Sequence, residues 1–147
     1  MKAYVFHFSE NRVQLIFACI AILGIALLMV SNAMILLCGL LLVAFGIHEL
    51  GHMIFYTRKK YPCVGIYVPT WHGLPFGVGP ALDRPVRPED ASVIYLSGLI
   101  SLMVPLFVTE LSPVFLILLV AGILGLSIAD VRYLLEIKKA SKANRHE

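Results

Sequence analysis

His48 and His52 stand four residues apart, with Glu49 next to the first of them. On a helix that spacing puts both imidazoles on one face, so two ring nitrogens can be directed at a single ion while the carboxylate sits beside them. The His-Glu-x-x-His arrangement suits zinc, with the glutamate placed to take a proton from a zinc-bound water. Three fixed positions in five residues arise by chance fairly often, and a lone histidine on an apolar helix is usually a satisfied core residue. The surroundings weigh the other way. From Val13 to Thr57 the only formally charged side chain is Glu49, and ionisable groups within hydrocarbon are costly unless paired or metal-bound.

Catalytic zinc generally takes three protein ligands and keeps one position for water, so a further donor is expected. Asp130 is the leading candidate, because it follows the apolar run Val114 to Leu126, where an unpaired carboxylate would be expensive. Its depth fits as well. His48 lies 16 residues past Asn32 and Asp130 lies 18 past Ser112, which at the helical rise gives roughly 24 and 27 Å from the two turns. The alternative is that Asp130 pairs with Arg132 or caps a local kink. Asp83, Glu89 and Asp90 belong to a loop, and Glu136 lies toward the solvated end of the tail.

The elements that position these residues follow from composition. Of 147 residues, 59% are hydrophobic and 14% charged, more apolar surface than a water-soluble fold of this size can hide. From Ala91 to Ala129 the only charged side chain is Glu110. The Leu/Ile/Ala/Val-rich runs lack the alternation of barrel strands, so helices are expected. The expected fold is an all-α membrane protein with about four spans, Val13–Val30, Ala33–Tyr56, Ala91–Val108 and Pro113 to about Ile137, forming one domain over residues 1–147. Ser31-Asn32 and Glu110 to Pro113 serve as turns. Neither turn carries Lys or Arg. The basic residues sit at Lys2 and Arg12, in the loop 57–90, and in the tail from Arg132 to Arg145, which places both termini and that loop in the cytoplasm.

The net charge of +3 is expected to face lipid headgroups, not nucleic acid, because the basic residues flank helix ends. The first 33 residues mimic a signal peptide, with Lys2 and Arg12 ahead of an apolar run, but the segment is expected to be retained. Cys19, Cys38 and Cys63 form no CxxC pair and are expected to be packing residues. The loop from Thr57 to Asp90 holds six of the eight prolines and the only tryptophan, so it is not one helix. Val64 to Val68 has the β-branched and aromatic character of a strand, and Gly73 to Pro80 can form a second edge or a re-entrant hairpin. Such an edge near the metal could take an extended peptide as an added strand, and a solvated connector is the alternative. His72 is read as a loop histidine, with substrate contact or oxyanion stabilisation as alternatives.

Taken together, His48 to His52, the loop Val64 to Gly79, Ser97-Gly98 opening into Leu99 to Val108, and Ser127-Ile128-Ala129-Asp130 resemble, in order and topology, the site-2 protease family of intramembrane zinc metalloproteases. The likeness spans about Phe45 to Tyr133. Asp130 is followed by Val131 instead of glycine, no asparagine-proline pair precedes it, and Ser97-Gly98 stands where that family has alanine-glycine-proline. These differences tilt the likeness toward the small zincin-like membrane peptidases related to it. The resemblance implies Zn2+ held by His48, His52 and Asp130, Glu49 as catalytic base, and a polypeptide substrate in or near the lipid bilayer. A non-proteolytic metal-binding membrane protein, serving storage, transport or assembly, is the rival reading, and it has no need of Glu49. A second rival, a hydrolase with a glutamate as third ligand, lacks a well-placed glutamate in any span after His52.

Overall fold

The computed structural model describes residues 2–72, 74–75, 78–91 and 112–143. The protein is mostly helical. In chain order the described elements are β1 (Lys2–His7), α1 (Glu10–Leu27), α2 (Ala33–Arg58), β2 (Cys63–Trp71), β3 (Leu74–Pro75), β4 (Gly79–Leu82) and α3 (Pro113–Ala143). The expectation of an all-α chain is therefore corrected. A four-stranded sheet is present, and its first strand comes from the N-terminal residues, for which no strand was expected. The expected span Ala91–Val108 lies, beyond Ala91, outside the described residues, as do Glu110 and Ser97-Gly98.

Local chemistry sets the helix boundaries. Ser9 is the extended N-cap residue of α1 and Glu10 puts an acid in its first turn, so the helix begins three residues before the apolar run. At α2 the Asn32 side chain accepts hydrogen bonds from the backbone N–H groups of Met34 and Ile35 at 3.0 and 3.2 Å, which caps the helix and closes the turn from α1. The other end of α2 is a Schellman turn. Tyr61 N–H bonds the Tyr56 carbonyl and Lys60 N–H that of Thr57, with Lys60 at φ 59°. Tyr56 and Tyr61 share the core beneath it, the apolar contact that commonly accompanies this motif. The chain leaves this turn directly into β2.

α1 and α2 form a close antiparallel hairpin built on glycines. A Cβ on Gly24 would stand 2.7 Å from the Gly39 carbonyl oxygen, and one on Gly46 would stand 2.7 Å from the Ala21 Cβ. Small residues at such a seam let two apolar helices approach backbone to backbone. Both helices are long and apolar enough to cross a membrane, at mean hydropathies of 1.6 and 2.2. Leu15, Ile22, Leu23 and Ile25 of α1 point outward. Cys19 and Cys38 are also exposed, and only Cys63 is a buried packing residue as expected.

α3 is one continuous helix and packs on α2. Leu119 and Ile123 are fully buried against Leu37, Leu40 and Ala44, and a Cβ on Gly122 would meet Leu41. In the sheet, β2 is central and antiparallel to its neighbours. β1 pairs along it from Lys2↔Thr70 to His7↔Gly65, while β3 and β4 pair at Thr70↔Pro75 and Tyr67↔Gly79. Ile66 and Cys63 of β2 join Val13, Phe17, Met53 and Tyr56 in a core that seats the sheet on the helix ends.

The segment after β4 is tied back to α2 by polar contacts. Asp90 takes the Lys59 ammonium at 2.8 Å on one oxygen and the Tyr61 hydroxyl at 2.8 Å on the other. That hydroxyl accepts from the Arg87 N–H at 3.0 Å. Hydrogen bonding from Lys59, and then from Tyr61, holds the Asp90 carboxyl below its ordinary range, and the same partner holds the Lys59 ammonium above its own.

Candidate metal centre

The stripe of α2 that packs on α3 continues into chemistry. Ala44, His48 and His52 are successive members of an i, i+4 series, and Asp130 lies two turns beyond Ile123, so each helix carries its polar residue on the face that makes the apolar contact. The helices run in the same direction, since Leu41 meets Gly122 and His48 and His52 meet Asp130 further along both. The packing that buries Leu119 and Ile123 therefore also brings the carboxylate to the two imidazoles. The sequence-based expectation of a common depth agrees with this contact.

Asp130 Oδ2 lies 3.2 Å from His48 Nε2 and 3.3 Å from His52 Nε2, and the two nitrogens are 3.1 Å apart. The rings meet edge to face, with centroids 4.5 Å apart and planes at 88°. Both histidines are buried, whereas the Asp130 side chain is 22% exposed. With the carboxylate ionised, no choice of neutral tautomers makes all three contacts attractive. Two Nε2–H tautomers both serve Asp130 but set N–H against N–H, and removing either proton sets a lone pair against the carboxylate. A cation satisfies all three atoms together.

The spacing supports this. Three corners of a coordination tetrahedron with bonds of about 2.0–2.1 Å stand roughly 3.3 Å apart, the separation expected for zinc on nitrogen and oxygen. The observed edges of 3.1, 3.2 and 3.3 Å form nearly that triangle. Among the described residues these three make the group of His, Cys, Asp or Glu side chains able to hold a metal. Two imidazoles and one carboxylate make three donors, one fewer than a tetrahedral structural site takes.

Glu49 is buried beside His48 on α2. β4 comes close to it: a Cβ on Gly79 would stand 3.6 Å from Glu49 Oε2. A single added carbon would be in van der Waals contact with the carboxylate, and a branched side chain would crowd it. The expected strand at Val64 to Val68 is the middle of β2, and the expected second edge is β3 and β4, with Gly73, Phe76 and Gly77 outside the described residues. His72 is exposed on the turn after β2 with φ 49° and is not part of the triad. Glu89 is exposed beside Arg87, and Asp90 is engaged with Lys59 and Tyr61.

Two residues near the site carried no expectation. Tyr56 is buried with its ring 6.2 Å from that of His52, and its place one turn after His52 on the same stripe was the available signal. Gly79 had none, because its role depends on a strand folding back over α2. Comparison with protein-family models, with curated proteins and with solved structures finds no match for this chain.

Proposed function

We propose that the protein is an intramembrane zinc metalloprotease that cleaves peptide bonds in membrane-spanning or membrane-adjacent polypeptides. The observation that carries this is the triangle of His48, His52 and Asp130 donor atoms with Glu49 on the next helical position. His48, His52 and Asp130 would hold the metal, which would supply Lewis acidity to make a water a better nucleophile at neutral pH. The Glu49 carboxylate accepts a proton from the attacking water and passes it to the amide nitrogen as the C–N bond breaks. The Asp130 side chain is 22% exposed, and water would have to enter from that side.

The β4 strand lies along the Glu49 side of the centre, and an extended polypeptide laid against it would bring its backbone past that carboxylate. Main-chain pairing at a strand edge tolerates varied side chains, which suits a substrate recognised by conformation.

Membrane residence is supported by α1 and α2, whose outward faces are apolar, with only 22% of the apolar window of α1 buried inside the protein. A core helix of a soluble protein would be mostly covered. Four crossings are supported by direction: α2 and α3 run parallel, so a chain that crosses with both must return between them, and Ala91–Val108 is the apolar stretch available for that return. Basic residues at both termini and in the loop 57–90 support a cytoplasmic placement for all three.

The test compares the parent protein with Glu49→Gln, both reconstituted in lipid with zinc and mixed with a set of single-span membrane polypeptides. Expected are cleavage fragments from the parent, none from the variant, and equal zinc in both. A variant that cleaves as the parent does removes Glu49 from the mechanism. Zinc retained by a parent that cleaves nothing favours the non-proteolytic metal-binding reading.

A further inference from the structure

β1 was not expected from the sequence, and the metal centre makes no use of it. Its register fixes which way its side chains point. Phe6 pairs with Ile66 and Tyr4 with Val68, and paired residues share one face of a sheet. Ile66 is buried and Val68 packs on the same core as Val13, Phe17 and Met53, so this face is the one turned toward the helices. Among the described residues, neither Tyr4 nor Phe6 joins that core. Tyr4 and Phe6 are 58% and 53% exposed on that face.

What lies beyond the helices on that side is decided by α1. β1 ends at His7 and α1 begins at Glu10, so the strand is held at the level where the first apolar helix starts. Leu15, Ile22 and Leu23 are exposed apolar residues further along that helix. On the membrane reading given above, on which this inference rests, the face of the sheet turned toward the helices is also turned toward the bilayer. Aromatic side chains are enriched at that level, where an apolar ring can sit below the headgroups. The charge agrees. Arg12 is exposed in the first turn of α1, just after β1, so on that reading a cation stands near the level of the lipid phosphates.

We propose that β1 is an interfacial anchor: Tyr4 and Phe6 insert into the phospholipid headgroup layer, and Arg12 meets the phosphates. This contact would hold the whole sheet flat against the membrane, since β1 and β4 flank the same central strand. The height of β4 over Glu49 then depends on a lipid contact on the far side of β2.

Depth-dependent fluorescence tests this on the full chain reconstituted in phospholipid vesicles. In a Trp71→Phe background, single tryptophans are placed by Tyr4→Trp, Phe6→Trp, Val5→Trp and Ile22→Trp. The probes are lipids brominated near the headgroup end of the acyl chains, lipids brominated near the methyl end for position 22, and aqueous iodide. Tryptophan at 4 and 6 is expected to be quenched by the brominated lipid about twofold or more over tryptophan at 5, on the opposite face, because an interfacial group lies only about 5–10 Å into the boundary. Tryptophan at 5 should respond to iodide. Quenching of 4 and 6 by iodide and not by lipid overturns the anchor. Shielding of 4 and 6 from both probes also overturns it, and assigns the face to protein, either another segment of this chain or a second copy. Tryptophan at 22 separates the two levels of inference. If it is quenched by brominated lipid while 4 and 6 are not, the anchor alone fails. If it is not quenched, the membrane reading fails and the anchor with it.

Discussion

Replacing Asp130 by alanine removes one corner of a nearly equilateral triangle and the only formal charge among its three donors. Asp130 Oδ2 is almost equidistant from the two Nε2 atoms, at 3.2 and 3.3 Å, so no histidine can shift to fill both gaps at once. Loss of groups that merely support a ligand typically costs about 10- to 100-fold in metal affinity. A direct ligand belongs at or above the upper end, and the 22% exposure of the Asp130 side chain lets water recover part of the loss. The expectation is therefore about 100-fold weaker zinc binding, or roughly 2.7 kcal/mol. Competition with a chromogenic chelator, on protein in micelles whose helical content matches the parent, measures it. Alanine at Asp83, Glu89 or Asp90 should leave the affinity nearly unchanged. A loss under about tenfold, 1.4 kcal/mol, refutes Asp130 as ligand, and an equal loss in a loop variant moves the third ligand into the loop.

Three further outcomes follow from contacts elsewhere. Gly79→Val puts branched carbons where a Cβ already stands 3.6 Å from Glu49 Oε2, so peptide cleavage should fall by about tenfold or more with zinc content unchanged, and an active variant would show that β4 does not border the reacting groups. Gly46→Val meets the Ala21 and Phe17 backbones at 2.9 Å and should destabilise the protein by about 1–3 kcal/mol, read from unfolding in mixed micelles. Asp90 has a depressed folded pKa, caused first by Lys59 and then by Tyr61. Its contribution to stability is thus present above the ordinary carboxylate pKa and is lost as pH falls through the lowered folded value. Asp90→Asn should flatten that acid limb, and an unchanged pH profile would mean that the contact carries no net stability.

The meeting of His48, His52 and Asp130 was legible because it depends on counting along helices. Spacing put His48 and His52 on one face, and distance from the two turns put Asp130 at their level, and neither inference needed the path of the chain between. β2 was legible from the β-branched and aromatic run Val64 to Val68, bounded by prolines. β1 was not, although Tyr4, Val5 and Phe6 are good strand formers. Its partner lies about sixty positions away, and a short apolar run just before a hydrophobic helix looks like the start of that helix. The N-cap signal of Ser9 with Glu10 was there to separate them. The sharp exit from α2 was likewise hidden, since Lys60 takes a left-handed conformation more usual for glycine, and only the hydrogen bonds of Lys60 and Tyr61 identify the turn.

That turn links the site to the sheet. Tyr56 ends the stripe that carries His48 and His52, receives the Tyr61 N–H through its carbonyl, and packs in the core under β2. Tyr61 in turn holds Asp90, eight residues past the end of β4. A chain of contacts therefore runs from His48, His52 and Asp130, around the end of α2, to the segment that follows β4. Loosening it should change the spacing between β4 and Glu49 without touching a metal ligand. Tyr61→Phe keeps the ring in the core and removes the bond to Asp90, so zinc affinity should be preserved while the distance from β4 to Glu49 becomes broader. Spin labels on Leu82 and Ile54 measure that distribution, and an unchanged width would show that the packing of β2 alone holds the strand in place.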